Sequence, residues 1–179
     1  MNRIDPYPPI ESWTVPAAAL DATLRGVSPA GLRGQESGAL WLGHRGAMAD
    51  ISVVVVPRGE GVLERHDMWQ VSPEVFASIS RWASTHSLVM LGMFHIHIGL
   101  SVRMSRWDRE RVVQVPGILS VIGPNRGFER DLHQWGWYVF EETIYREMDV
   151  AEQRRRVIVS DVGSCSSWVA DAIEVRPLT

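Results

Sequence analysis

His95 and His97 follow an almost unbroken apolar run, Leu88-Val89-Met90-Leu91-Gly92-Met93. The run reads as a buried strand, and alternate side chains of a strand share a face, so the two imidazoles project together. Further on, Ser105-Arg106-Trp107-Asp108 reads as a helix start, with Ser105 as its cap and an acid in the first turn. Ser105 and Asp108 then lie on one side of that turn. A short loop that folds the helix start over the strand end brings two imidazoles and one carboxylate to one point. Such a trio is a catalytic zinc ligand set, with the fourth position left to water.

Hydrolysis at such a centre needs a group that takes a proton from water. Glu36 opens a second apolar strand, Ser37-Gly38-Ala39-Leu40-Trp41-Leu42-Gly43, whose small first residues let a substrate backbone approach closely. Glu36 is the general-base candidate. Each piece has an ordinary explanation by itself: a packing accident for His-x-His, a plain helix start for Ser105-x-x-Asp108, a solvated acid for Glu36. Their joint order and spacing make the metal reading the stronger one.

That order and spacing resemble the motifs of the JAMM (MPN-plus) metalloproteases. The likeness spans residues 13–141, about three-quarters of the chain. It implies an α/β fold of the cytidine-deaminase-like MPN sandwich type, a mixed central sheet flanked by helices. It also implies a zinc isopeptidase that cuts after the C-terminal tail of ubiquitin or a ubiquitin-like modifier, with the modifier or its conjugates as partner. On this resemblance His95, His97 and Asp108 bind Zn2+, Glu36 activates water and Ser105 steadies the tetrahedral intermediate. The family usually has proline after the second histidine, whereas Ile98-Gly99 follows here, which changes the loop beside the metal and leaves the ligands intact. Trp107 and His66 are the substrate-contact candidates; Trp107 has an equal claim to be a core contact of its helix.

At 179 residues and 45% hydrophobic content the chain can bury a full core, and one domain is expected over residues 13–160. Residues 1–12 read as an extended lead-in and 161–179 as a C-terminal tail. A net charge of -3 argues against nucleic acid or an anionic membrane as the main partner. One cysteine, Cys165, allows no internal disulfide, and no apolar run is long enough to span a bilayer, so a cytoplasmic location is expected. All 18 basic residues are arginine, which fits a compositional bias or an enzyme that avoids modification of its own lysines.

The elements that must position the site follow from local pattern. A helix is expected over 17–25, ended by Gly26, with a loop at 28–31 delivering the chain to Glu36. Residues 51–56 are a β-branched buried strand, 58–70 a long surface loop, and Ser72-Pro73-Glu74 starts a helix ending near His86. Strands are expected at 118–122, 135–140 and 157–159. The segments 58–70 and 123–132 are the expected substrate holders. A hydrolase acting on a sulfur-carrier protein would share this site, a non-catalytic MPN-type scaffold should have lost ligands, and a DNA-repair relative is disfavoured by the charge.

Overall fold

Strands rich in uninterrupted apolar residues need cover on both faces, and that requirement sets the architecture. A computed structural model describes residues 9–111 and 113–178. Most of the expected lead-in, Val112 and Thr179 lie outside the described residues. In chain order the elements are β1 (Ser12–Pro16), α1 (Ala17–Leu32), β2 (Gly38–His44), β3 (Met48–Pro57), β4 (Val62–Arg65), β5 (Met68–Val71), α2 (Pro73–Thr85) and β6 (Val89–Ile96). There follow α3 (Arg106–Arg111), β7 (Leu119–Gly123), β8 (Gly136–Glu141), β9 (Ile144–Glu147), α4 (Val150–Arg156), β10 (Val157–Ser160), β11 (Ser166–Ala170) and β12 (Val175–Pro177).

The main sheet runs β10-β1-β3-β2-β6-β7-β8-β9, with β11 on the later half of β3 and β12 beyond it. It is mixed: β2 is antiparallel to β3 and β6, while β6 runs parallel to β7 and β1 parallel to β3. Alternation sorts the side chains. Trp41, Val54, Val56, Phe94 and Ile96 join Leu20, Leu24 and Val27 of α1 in one core layer. Leu40, Leu42, Val53, Val55 and Met93 join Val75, Ile79 and Ala83 of α2 in the layer on the other face. The expected mixed sheet flanked by helices is therefore present. Among the described residues no helix is long and apolar enough to cross a membrane.

Three expectations need correction. Helix α1 does not stop at Gly26 but continues through Pro29 to Leu32. Gly26 is there for contact, since a Cβ on it would stand 2.5 Å from Val56 Cγ2 and push the helix off β3. Pro29 leaves the Arg25 carbonyl without its helical donor, and on either side of it Ser28 Oγ donates to the Leu24 carbonyl at 2.5 Å and Arg58 donates to the Gly26 carbonyl. Residues 58–70, read as a loop, hold most of the β4–β5 hairpin. Residues 161–179, read as a tail, supply β11, which adds to β3 in parallel from Ser166 opposite Val53 to Ala170 opposite Pro57.

Candidate metal centre

Strand β6 carries His95 on the α2 side, at 4% exposure among apolar neighbours. A buried imidazole on an apolar face is costly without partners, and the chain beyond the strand supplies them. His97 extends the β6–β7 pairing by donating its N–H to the Gly123 carbonyl at 2.9 Å. Its carbonyl accepts from Arg126 N–H at 2.8 Å, and the Gly99 carbonyl accepts from Asn125 N–H at 2.7 Å. The loop that begins at Ile98 is thus tied at Gly99 to the 123–127 turn. That turn braces the loop from behind. No residue of 123–132 lines the cleft that holds the histidines.

The loop then leads to α3. Tyr138 of β8 holds it in place: its hydroxyl donates to the Val102 carbonyl at 3.0 Å and accepts from Met104 N–H at 3.2 Å. Ser105 and Asp108 form a reciprocal cap. Ser105 N–H donates to Asp108 Oδ2 at 2.7 Å, and Asp108 N–H donates to Ser105 Oγ at 3.1 Å. The cap aims the carboxylate at the histidines.

The three expected ligands converge. His95 Nε2 and His97 Nε2 are 3.2 Å apart, His95 Nε2 is 3.5 Å from Asp108 Oδ1, and His97 Nε2 is 3.7 Å from Asp108 Oδ2. Donors about 2.05 Å from one tetrahedral zinc stand about 3.3 Å apart, so this triangle fits such an ion. Chemistry agrees with geometry. His97 Nδ1 lies 2.8 Å from the Ser101 carbonyl, which fixes the tautomer with Nε2 as the free donor atom. The cluster could therefore bind a metal ion through two imidazoles and a carboxylate.

Glu36 approaches from the neighbouring strand. Gly38 pairs with His95 across β2–β6, and Ile96 N–H donates to the Ser37 carbonyl at 2.9 Å, so the continued register sets Glu36 across from His97 on the same face. The hairpin pins this segment: Glu36 N–H donates to the Arg65 carbonyl at 2.6 Å and Ser37 Oγ donates to Glu64 Oε1 at 2.5 Å. Gly38 leaves a gap for Trp69 of β5, because a Cβ there would stand 2.6 Å from the indole. Trp69 stacks on His95, with ring centroids 6.4 Å apart at 18°. Its buried Nε1 has no hydrogen-bond partner among the described residues, so packing holds the ring.

Charges respond to this enclosure. Burial pushes the Glu36 carboxyl up to about 7, with His97 opposing and Asp108 and Asp67 assisting. Burial likewise pushes His95 down to about 4 against the pull of Asp108. For His97 burial acts downward, but Asp108, the Ser101 carbonyl and Glu36 together carry it above the usual histidine value. Burial also acts on Asp108, upward, and is outweighed by His97, His95 and the Ser105 bonds, which hold it well below the carboxylate range.

Glu36, His95, His97, Ser105 and Asp108 all line one cleft of about 920 Å³. Trp107, 55% exposed, and His66 of the hairpin turn line it too. Sequence reasoning missed Trp69, Phe76 and Met93, which also line it. Met93 could have been found from alternation alone, since it precedes His95 by one step on the same face. Nothing in the sequence singled out Trp69, whose role depends on the gap opposite at Gly38.

No family model matches this chain, and no curated protein matches its sequence. Among solved structures, protein DSY2949 from Desulfitobacterium hafniense is similar with a TM-score of 0.60 and 17% identity, over 84% of this chain and 94% of that one. AF2198, a JAB1/MPN domain protein from Archaeoglobus fulgidus, matches with a TM-score of 0.46 and 15% identity, over 83% of this chain and 97% of that one, a likeness too distant to carry an argument. The chain shares its fold with the DSY2949 protein.

Proposed function

We propose that the protein is a zinc-dependent peptidase or isopeptidase that cleaves after the C-terminal tail of a ubiquitin-like modifier, releasing it from conjugates or precursors. The observation that carries this reading is the donor triangle of His95, His97 and Asp108 with Glu36 and Ser105 in the same cleft. Bound zinc would supply Lewis acidity toward the scissile carbonyl and lower the pKa of water toward ~7.

The chain's own residues do the rest. Glu36, with its carboxyl pushed up to about 7, accepts a proton from the attacking water and returns it to the departing amine. Ser105 Oγ already accepts from Asp108 N–H, so its own hydrogen is left for the developing oxyanion, a contact worth about 3 kcal/mol. The Ser101 carbonyl holds the His97 ring through Nδ1, so that imidazole keeps its orientation with Nε2 toward the bound metal. An extended tail lying between the β5 hairpin and the 97–101 loop would present its carbonyl to this group.

The test is incubation of the purified chain with ubiquitin-like fusions, with and without a chelator. Cleavage directly after the modifier's tail that is abolished by chelation supports the reading. Intact fusions at full zinc loading would leave a metal-binding domain without this activity.

A further inference from the structure

The cleft, about 920 Å³ in volume, has two ends that differ in character. Beside His97 and beyond it, the lining is polar and open, with His66, Asp67, Gly99 and Ser101. In the other direction along β6 the next side chain on the same face is Met93, about 7 Å from His95 along the strand and only 4% exposed. Around it stand Phe76 of α2, Val71 and Trp69 of β5, and Val113, which pack with Met93 as one apolar group and also line the cleft. These walls are fixed. Tyr145 donates to the Val113 carbonyl at 2.6 Å, and Phe76 N–H closes the capped first turn of α2 on the Ser72 carbonyl at 3.1 Å.

We infer that this Met93 end is a specificity pocket, which takes a large apolar side chain of the substrate residue flanking the scissile bond. The inference deepens the peptidase reading and rests on it. Its grounds are continuity and chemistry: the pocket adjoins His95 directly, and a side chain entering it meets carbon and sulfur on every wall named. Water there would find few partners, whereas an apolar side chain would meet carbon surface. Burying such a group in place of hydrogen is expected to favour binding at least tenfold.

The experiment measures binding, so it does not depend on turnover. The full chain, loaded with zinc, is titrated with four tetrapeptides: one pair ending in Leu or Gly, one pair beginning with Leu or Gly. The expected result is that in one pair the Leu peptide binds at least tenfold more tightly than its Gly counterpart. Val113→Trp, which fills the pocket, should abolish that preference. Should that variant fold poorly by circular dichroism, Phe76→Ala decides: widening the pocket should move the preference from Leu to Phe. Equal affinity for Leu and Gly peptides in both pairs overturns the inference, as does a preference untouched by pocket variants. A chain that shows the preference but cleaves no modifier fusion overturns the peptidase reading and leaves the pocket standing.

Discussion

Ser105 and Asp108 hold each other by two backbone-to-side-chain hydrogen bonds, 2.7 Å from Ser105 N–H to Asp108 Oδ2 and 3.1 Å from Asp108 N–H to Ser105 Oγ. The same carboxylate lies within 3.7 Å of both Nε2 atoms of the histidine pair. The helix cap therefore also aims the carboxylate that, with the two imidazoles, could bind a metal ion. The reading of Ser105-x-x-Asp108 as a helix start is correct, and the same cap is compatible with the chemical reading.

Ser105→Ala removes the cap acceptor and the oxyanion donor together. Stability should fall by about 1 kcal/mol, the usual worth of an N-cap. Turnover should fall about 100-fold or more, as for loss of one oxyanion donor. Zinc content should hold, because the carboxylate keeps Ser105 N–H. Melting curves, kcat and metal analysis on one preparation check all three.

Glu36→Gln should keep the fold and zinc and lose turnover by several orders of magnitude. It also has a pH signature in the chelated protein. Glu36 has its folded pKa raised from 4.5 to about 7, so its contribution is fully present below pH 4.5 and is lost as pH rises through 7. His95, lowered from 6.5 to about 4, acts in the opposite sense, its contribution being lost as pH falls through 4. The two partly offset in wild type. The stability difference between Glu36→Gln and wild type reports the acid together with its pull on His97 and should shift in favour of the variant from pH 4.5 to 7, as read by denaturant titrations.

His95→Ala and Asp108→Ala should each lose bound zinc, because removing one donor breaks the triangle. His95→Ala also opens a gap under Trp69, so its tryptophan emission should change more than that of Asp108→Ala. Metal analysis after exhaustive dialysis, with emission spectra, distinguishes the two.

Gly38→Ala tests the stack that covers His95. The added methyl meets the Trp69 ring and the Phe94 carbonyl, so the indole must move off the imidazole. Overpacking of this kind costs about 1–3 kcal/mol. Restoring space with Gly38→Ala/Trp69→Leu should recover part of that loss, measured by thermal unfolding.

What was legible in the chain depended on range. Strand β6 and the start of α3 declare themselves by an apolar run, a cap and an acid, all local, so the three residues that converge could be named from sequence. Gly26 and Pro29 read as a helix end because local propensity says so, and the overriding reason is the approach to Val56 on β3. The hairpin of β4 and β5 is half-buried nearly throughout and shows no period, since it lies over the edge of the α2-side core and walls the cleft as well. Strand β11 was hidden because its partner β3 lies more than a hundred residues earlier. The Met93 pocket and the Trp69 stack need that hairpin in place, so neither could be read before it.

The most direct test of the metal centre is a crystal structure of the zinc-soaked chain with anomalous data collected at the zinc edge. The account predicts one peak about 2.0–2.2 Å from His95 Nε2, His97 Nε2 and an Asp108 oxygen, with the Glu36 carboxylate facing the remaining position. No peak at these residues, or a peak held by other side chains, would contradict it.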